Sequence, residues 1–292
     1  MFNRIYNRLI WFAKSFFALF FELKEIRFDN VSFKVHINNS HEFNRALTFN
    51  SKEEDTLAWL KNNPGLDLVD IGANVGIYSL YFAKLSENSQ IYSFEPDASS
   101  FTSLVKNISV NSTPNIKAFC IALGSRKGFY EMNFHDFAAG AGAGAIDSEY
   151  MFTNARDKKK YTQQTFCETL DNCSEKLIMT ENCLVKIDVD GPEYEIINSG
   201  KNFLSSNKVK SVMIEINSKN EKDKHKIFSL MQSYGYKQIY QGNWIEKYKD
   251  YDISNFFFFK SPGFDFRKNN ICLLYTSPSP RDVEESRMPS SA

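Results

Sequence analysis

Residues 66–85 read LDLVDIGANVGIYSLYFAKL. The first seven form a short apolar run with β-branched character that stops at Gly72. Ile77, Leu80, Tyr81, Lys84 and Leu85 then follow at helical spacing, with Lys84 the only charged member. A strand, a glycine turn and a helix follow one another here, and the pattern repeats downstream. IYSFEP (91–96) is a strand stopped by Pro96, and Phe101, Leu104, Val105 and Ile108 mark the helix after it. IKAFCIAL (116–123), LVKIDVDG (184–191) and SVMIEI (211–216) are further strands. Pro192 is suited to a helix start, and Ile227, Leu230, Met231 and Tyr234 mark a helix that Gly235 ends. YKQIYQ and NFFFFK (255–260) read as a closing strand pair. Such alternation predicts an α/β fold, a mostly parallel sheet covered by helices on both faces. Ligands in such sheets bind beyond the carboxyl ends of the strands.

The 292 residues carry 35 Lys+Arg and 35 Asp+Glu, a formal net charge of zero. A nucleic-acid partner, which calls for a basic surface, is not expected. Five cysteines without a C-x-x-C pair argue against a disulfide scaffold or a structural zinc site, and a reducing, cytoplasmic compartment is expected. Four segments are expected: 1–28, an apolar or amphipathic helix; 29–64, a small β/helix extension; 65–261, the main domain; and 272–292, a non-native disordered tail. Residues 30–50 read as a β meander and Glu53–Asn62 as a helix. LIWFAKSFFALFFEL (9–23) is shorter than the ~20 residues that span a bilayer, and no cleavage site follows it. Two readings stay open for it: a helix packed on the domain or a partner subunit, or peripheral membrane contact through residues 2–24. CLLYTSPSPRD and SRMPSSA back-translate, in the right order, into the two parts of a DNA sequencing adapter. Residues 272–292 thus resemble translated adapter and are given no part in the expected fold. Residues 135–165, with AAGAGAGA (138–145) and Lys158–Lys160, read as a long mobile loop.

Asp70-Ile71-Gly72-Ala73-Asn74-Val75-Gly76 ends the first strand, and the two glycines allow a tight turn with close approach of a ligand. Glu95 ends the second strand, 25 residues after Asp70, where an acid binds a ribose hydroxyl pair. An ordinary turn and a solvated Glu are the plainer alternative. A pyrophosphate site wants bare N–H groups, but this turn opens with Asp70 and lacks the middle Gly of G-x-G-x-x-G. The other strand ends add Asp188, Asp190, Glu193 and Glu215. So many carboxylates suit a ligand with an adenosine, an ammonium and a sulfonium but no phosphate, which describes S-adenosylmethionine.

LVDIGANVGIYSLYFA, YSFEPDASSFTSLVKNI, the ALG at 122–124, LVKIDVDGPEYEIINSG and VMIEI together resemble the FkbM-type methyltransferases over roughly residues 66–260. The resemblance implies a Rossmann-like methyltransferase fold with a seven-stranded sheet. It also implies S-adenosylmethionine as cofactor and O-methylation of a hydroxyl on a sugar, glycan or secondary metabolite. By the same resemblance Asp70, Gly72, Asn74 and Gly76 form the methionine-side loop, Glu95 holds the ribose and the segment around Ala122 flanks the adenine; Ala73 and Pro96 are further expected cofactor-binding residues. Asp188 borders the transfer cleft, with Asp190 and Glu193 beside it.

Methyl transfer is an in-line displacement in which the protein mainly supplies alignment and water exclusion. A hydroxyl acceptor also loses a proton. Asp188 and Asp190 are the candidate bases; His135 is a second candidate, and Glu193 and Glu215 are further acceptor-side residues. No cluster has metal-ligand spacing, so no metal is expected. No (Asn/Asp)-Pro-Pro-(Tyr/Phe) motif follows the fourth strand, which argues against nucleic-acid amino-methylation. The rival readings are a nicotinamide-dependent oxidoreductase, which calls for a third glycine in the turn, and a non-catalytic or membrane-associated scaffold of the same fold.

Overall fold

The computed structural model of the chain describes residues 23–134, 136–142, 144–146, 161–178, 180–217, 221–242, 253–260 and 272–276. Strands β1 (Leu23–Phe28) and β2 (Val31–His36) form an antiparallel hairpin. Helices α1 (Ser40–Lys52) and α2 (Glu54–Lys61) follow. The alternating part begins with β3 (Asp67–Ile71), α3 (Ile77–Leu85), β4 (Ile91–Phe94), α4 (Ala98–Asn111) and β5 (Ile116–Phe119). Short strands β6 (Ala122–Leu123), β7 (Gly128–Phe134), β8 (Gly144–Ile146) and β9 (Tyr161–Glu168) come next, then α5 (Leu170–Lys176). The chain continues through β10 (Cys183–Ile187), α6 (Glu193–Ser199), α7 (Lys201–Ser205), β11 (Val209–Asn217) and α8 (Glu221–Ser233). Strands β12 (Gln238–Gln241), β13 (Ile253–Phe259) and β14 (Cys272–Thr276) complete it.

The main sheet has the order β14-β12-β13-β11-β10-β3-β4-β5. The pairs from β11 to β5 are parallel, and β13, β12 and β14 are antiparallel additions. The seven strands expected from the sequence lie in this eight-stranded sheet, but the third, expected over 116–123, contributes only Ile116–Phe119; Ala122–Leu123 is a separate strand that pairs with β9. Successive residues of each strand face opposite layers, as strand pleating requires. Leu68, Leu184, Met213 and Phe257 pack under the hairpin, α1, α2 and α3. Val69, Val185, Val212 and Phe256 pack under α5, α6, α7 and α8. Both faces are therefore closed, which is why the strands read as continuous apolar runs.

The N-terminal elements are fixed by aromatic packing. Phe49 of α1 lies among the rings of Phe28, Phe33, Tyr78 and Tyr81, with centroids 5.4 to 6.1 Å apart. Asn39 caps α1 by accepting from the backbone N–H groups of His41 and Glu42, worth about 1 kcal/mol. Trp59 Nε1 donates to Ser211 Oγ at 3.0 Å and pins α2 to β11.

Several sequence-based expectations change. Residues 23–28 are a strand, so the N-terminal helix expected over 1–28 does not extend through them. The apolar stretch before them, and its membrane or packing role, lies outside the described residues. The meander expected over 30–50 is a strand followed by helix α1, because Phe43, Ala46 and Phe49 fall on one helical face. The long loop expected over 135–165 contains parts of a second, four-stranded sheet of order β6-β9-β7-β8. Its β7–β9 pairing joins Gly128 to Cys167 and Phe134 to Tyr161. YTQQT has no apolar alternation, so its strand character comes from that long-range pairing. His135 and Lys158–Lys160 lie outside the described residues. The tail expected to be disordered from Cys272 instead begins with β14, which pairs antiparallel with β12 at the sheet edge. Among the described residues no helix is long and apolar enough to cross a membrane.

Candidate active site

The parallel register brings the functional residues into one row. Ile71 pairs with Phe94, Ile187 with both Ile71 and Ile214, and Glu215 with Asn255. The next residue along each parallel strand is therefore Glu95, Gly72, Asp188 or Glu215, and Asn255 extends the row. These five residues line a cleft of about 550 Å³ at the carboxyl end of the sheet.

Between β3 and α3 the backbone turns through three left-handed residues: Gly72 at φ 82°, Asn74 at 52° and Gly76 at 83°. The glycines serve the protein's own packing. A Cβ on Gly72 would lie 1.9 Å from the Asp188 carbonyl oxygen, and one on Gly76 would lie 2.3 Å from Leu104 Cδ1. Ligand approach is thus not the only reason for glycine here. The turn aims the Asn74 N–H at Glu95 Oε2, 2.7 Å away, while the Asp97 N–H donates to Oε1 at 2.8 Å. Each carboxylate oxygen of Glu95 is held by one backbone donor and keeps acceptor capacity toward the cleft. Burial pushes the Glu95 carboxyl up to about 7, against these two donors. Beside it Pro96, Ile121, Ala122, Leu123 and Met132 make an apolar wall.

One residue earlier, a buried polar row runs across the sheet. Ser79 Oγ donates to Asp70 Oδ2 at 2.6 Å and lies 2.8 Å from Ser93 Oγ. Lys186 Nζ sits 3.4 Å from Asp70 Oδ1 and donates to Asp188 Oδ2 at 2.7 Å, above the Tyr78 ring. Burial opposes a charge at both Lys186 and Asp188. The attraction between them outweighs it, raising the lysine further and holding the Asp188 carboxyl down at about 2.

The far wall comes from the N-terminal helices. Arg45, Lys52, Glu53 and Asp55 line the cleft together with Asp190, Glu215 and Ser254. Lys52 lies 3.2 Å from Glu53 Oε1, and Glu53 Oε2 accepts from Thr56 and from Asn255 Nδ2. The 138–142 loop closes against α1: Arg45 Nε donates to the Gly140 carbonyl at 2.6 Å, and the Gly140 N–H donates to Ser100 Oγ at 3.1 Å.

The structure thus gathers Gly72, Asn74, Glu95, Pro96, Ala122, Asp188, Asp190 and Glu215 at one cleft. Asp70, fully buried, sits beneath the floor and does not line it. Ala73 and Gly76 shape the turn without lining the cleft, and Glu193 accepts from the Gly191 N–H behind it. Burial, with Asp190 and Asp188 nearby, pushes Glu193 up to about 8. Sequence reasoning missed Lys186, Arg45, Lys52 and Glu53. The lysine had a signal: a charge inside a strand that is apolar on both sides needs a buried partner. Among the described residues no group of three or more His, Cys, Asp or Glu side chains is gathered to hold a metal ion.

Residues 70–237 match the family model of the methyltransferase FkbM domain. "Methyltransferase 1" of Beauveria bassiana (strain ARSEF 2860) is 21% identical over 140 residues, covering 44% of this chain and 56% of that protein. The chain therefore spans about half the length of that relative. Among solved structures, methyltransferase FkbM from Methylobacillus flagellatus KT aligns with a TM-score of 0.46 and 14% identity, over 66% of this chain and 43% of that one. M. jannaschii TYW2, solved in complex with AdoMet, aligns with a TM-score of 0.42 and 10% identity, over 81% and 84%.

Proposed function

The chain belongs to the FkbM methyltransferase family, and from that premise we propose that it methylates a hydroxyl of a sugar, glycan or hydroxylated metabolite, using S-adenosylmethionine. The observation that carries the cofactor reading is the Glu95 carboxylate, held through both oxygens by Asn74 and Asp97 and facing the cleft. A carboxylate fixed in this way suits a vicinal diol, and the apolar wall beside it suits an adenine. The carboxylates along the row suit the ammonium and sulfonium, so the residues present fit the group. S-adenosylmethionine supplies the electrophilic methyl when bound.

The chain's own residues then have three tasks. Glu95 orients the ribose, and the row from Gly72 to Asn255 aligns the reacting groups. The 138–142 loop and α1 screen the cleft from water. A hydroxyl acceptor must also give up a proton. Asp188, committed to Lys186 and held near 2, is a weak proton acceptor at neutral pH. Asp190 is exposed at the rim. The base role proposed for these two therefore moves to Glu215, which lines the cleft one strand away from Asp188. Burial and the neighbouring Asp188 and Glu53 charges push its carboxyl well above the ordinary range, which improves it as a base near neutrality. The surplus of carboxylates favours a neutral polyhydroxylated acceptor over a nucleic acid.

The test incubates the protein with S-adenosylmethionine and screens glycans and hydroxylated metabolites for the mass gain of one methyl group. S-adenosylhomocysteine should raise the melting temperature and NADH should not. The reverse pattern would sink the cofactor reading.

A further inference from the structure

We propose that Glu215 makes the cleft distinguish the positively charged sulfonium cofactor from its neutral thioether product. This rests on the cofactor reading above and concerns the same cleft. Most carboxylates around it already have partners. Asp188 holds Lys186 at 2.7 Å. Glu53 holds Lys52 at 3.2 Å and accepts from Thr56 and Asn255. Glu95 is held by two backbone donors. Among the described residues no hydrogen bond or ion pair reaches the Glu215 carboxyl, although it lines the same cleft.

The groups that face Glu215 are mostly acidic. Asp188 and Asp190 follow β10, and Glu53 follows α1. Lys52, at the end of α1, is the opposing charge, and it is shared with Glu53 and Asp188. Asn255, opposite on β13, is neutral. Carboxylates crowded into a partly enclosed cleft do not all ionise together, and the one held by neither an ion pair nor a hydrogen-bond donor keeps its proton longest. In the ligand-free cleft that one is Glu215.

A fixed positive charge entering the cleft reverses this balance. It favours the ionised carboxylate, and the Glu215 proton leaves to solvent. The sulfonium cofactor and its thioether product share the adenosine and the amino-acid end, and differ by one methyl group and its positive charge. A group that responds only to the shared parts, such as Glu95, therefore affects both ligands equally. Glu215 responds to the difference. The preference for S-adenosylmethionine over S-adenosylhomocysteine should then rise with pH, because ionised Glu215 attracts only the former. It also follows that re-protonation of Glu215 after transfer removes any advantage for holding the neutral product.

The experiment is titration calorimetry on the full chain with S-adenosylmethionine and S-adenosylhomocysteine, from pH 5.5 to 8.5. Each titration is run in two buffers of different protonation enthalpy. The ratio Kd(S-adenosylhomocysteine)/Kd(S-adenosylmethionine) should rise about ten-fold or more across that range, as it does when the bound cation weakens the proton affinity of one carboxyl by the same factor. S-adenosylmethionine should release more protons than S-adenosylhomocysteine. In Glu215→Gln the ratio should become flat with pH, whereas Glu193→Gln, a raised carboxyl behind the cleft, should keep the slope. Equal proton release by the two ligands in the wild type would overturn the proposal, and that readout needs no variant to fold. The same slope persisting in Glu215→Gln would overturn it as well. If neither ligand binds, the cofactor reading itself fails and this inference falls with it.

Discussion

The Lys186 ammonium and the Asp188 carboxylate meet at 2.7 Å beneath the cleft, the lysine closed to solvent and the aspartate open to the site. The pair transmits the buried charge of β3 to the cleft, since Lys186 also faces Asp70. Lys186→Met would leave Asp70 buried without its cation and free Asp188 from its anchor. Removing one member of a buried pair costs about 3–5 kcal/mol. Denaturant unfolding should show a loss of that order, and Lys186→Met combined with Asp70→Asn should recover part of it. Wild-type stability in the single mutant would mean that the charges are hydrated after all.

The stability of the ligand-free protein should fall as pH rises from about 5 to 8. Glu95 is raised to about 7 and Glu193 to about 8, in both cases chiefly by burial. A raised carboxyl is protonated in the fold while the unfolded chain has already lost its proton. Its contribution is therefore complete below the unfolded pKa and disappears as pH passes the folded one. A ten-fold difference in proton affinity between the folded and unfolded chain corresponds to about 1.4 kcal/mol, so a loss of a few kcal/mol is expected. Asp188 acts in the opposite sense: being held down at about 2, it contributes above its unfolded pKa and that contribution is lost in acid. Melting temperatures should peak near pH 5, and a flat or rising profile up to pH 8 would contradict the burial of these two glutamates.

Gly72 and Gly65 share nearly the same backbone angle, φ 82° and 84°, but not the same surroundings. A Cβ at Gly65 meets nothing within 4 Å, whereas one at Gly72 collides with the Asp188 carbonyl oxygen. Gly65→Ala should cost only the left-handed penalty, about 1–2 kcal/mol. Gly72→Ala should cost considerably more, since β3 and β10 must separate, and should abolish ligand binding with it. Equal costs, measured by chemical unfolding of both variants, would show that β3 and β10 are not close-packed at this point.

The row from Glu95 to Glu215 was legible because each member ends an apolar run, and strand ends can be read locally. Lys186 was overlooked inside LVKID although its unusual setting was visible. Arg45, Lys52 and Glu53 carried no comparable sign. They reach the cleft because Phe49 packs α1 among rings from β1, β2 and α3, a long-range event without local periodicity. The β7–β9 pairing was hidden for the same reason: its partners lie far apart in the chain, and YTQQT is polar throughout. Asp70 shows the opposite error. Its position before the turn suggested a ligand contact, but pleating turns its side chain under α3, toward Ser79 and Lys186.

Strand β14, the start of the 272–292 segment, lies at the sheet edge beyond β12, while the cleft is built from β4, β3, β10, β11 and β13. Deleting residues 272–292 should leave cofactor affinity unchanged. It should lower the melting temperature modestly, because β12 loses a partner on one side only. A loss of binding would show that the edge strand supports the site.

Glu95→Gln separates a cofactor site from a coincidental turn. The amide keeps the size of the carboxylate but has one oxygen where two are needed, so its NH₂ group faces either the Asn74 or the Asp97 N–H. That leaves one backbone donor without an acceptor, at a cost of about 1–3 kcal/mol in the ligand-free protein, partly offset because no charge is buried. A merely solvated strand-end Glu would leave stability untouched; the two backbone donors to Glu95 make a cost expected. Affinity should fall further, because the same amide offers a ribose hydroxyl a donor where it needs a charged acceptor. Bonds to a charged acceptor are worth about 1.5–3 kcal/mol, so S-adenosylmethionine should bind roughly ten-fold or more weakly. In the wild type, S-adenosylhomocysteine affinity should strengthen as pH rises through about 7, where Glu95 ionises, and in Glu95→Gln that pH dependence should vanish. Calorimetry well below the melting temperature keeps the variant folded during the titration. Unchanged affinity in the folded variant would remove Glu95 from the site and leave it a buried brace between the 72–76 turn and the start of α4.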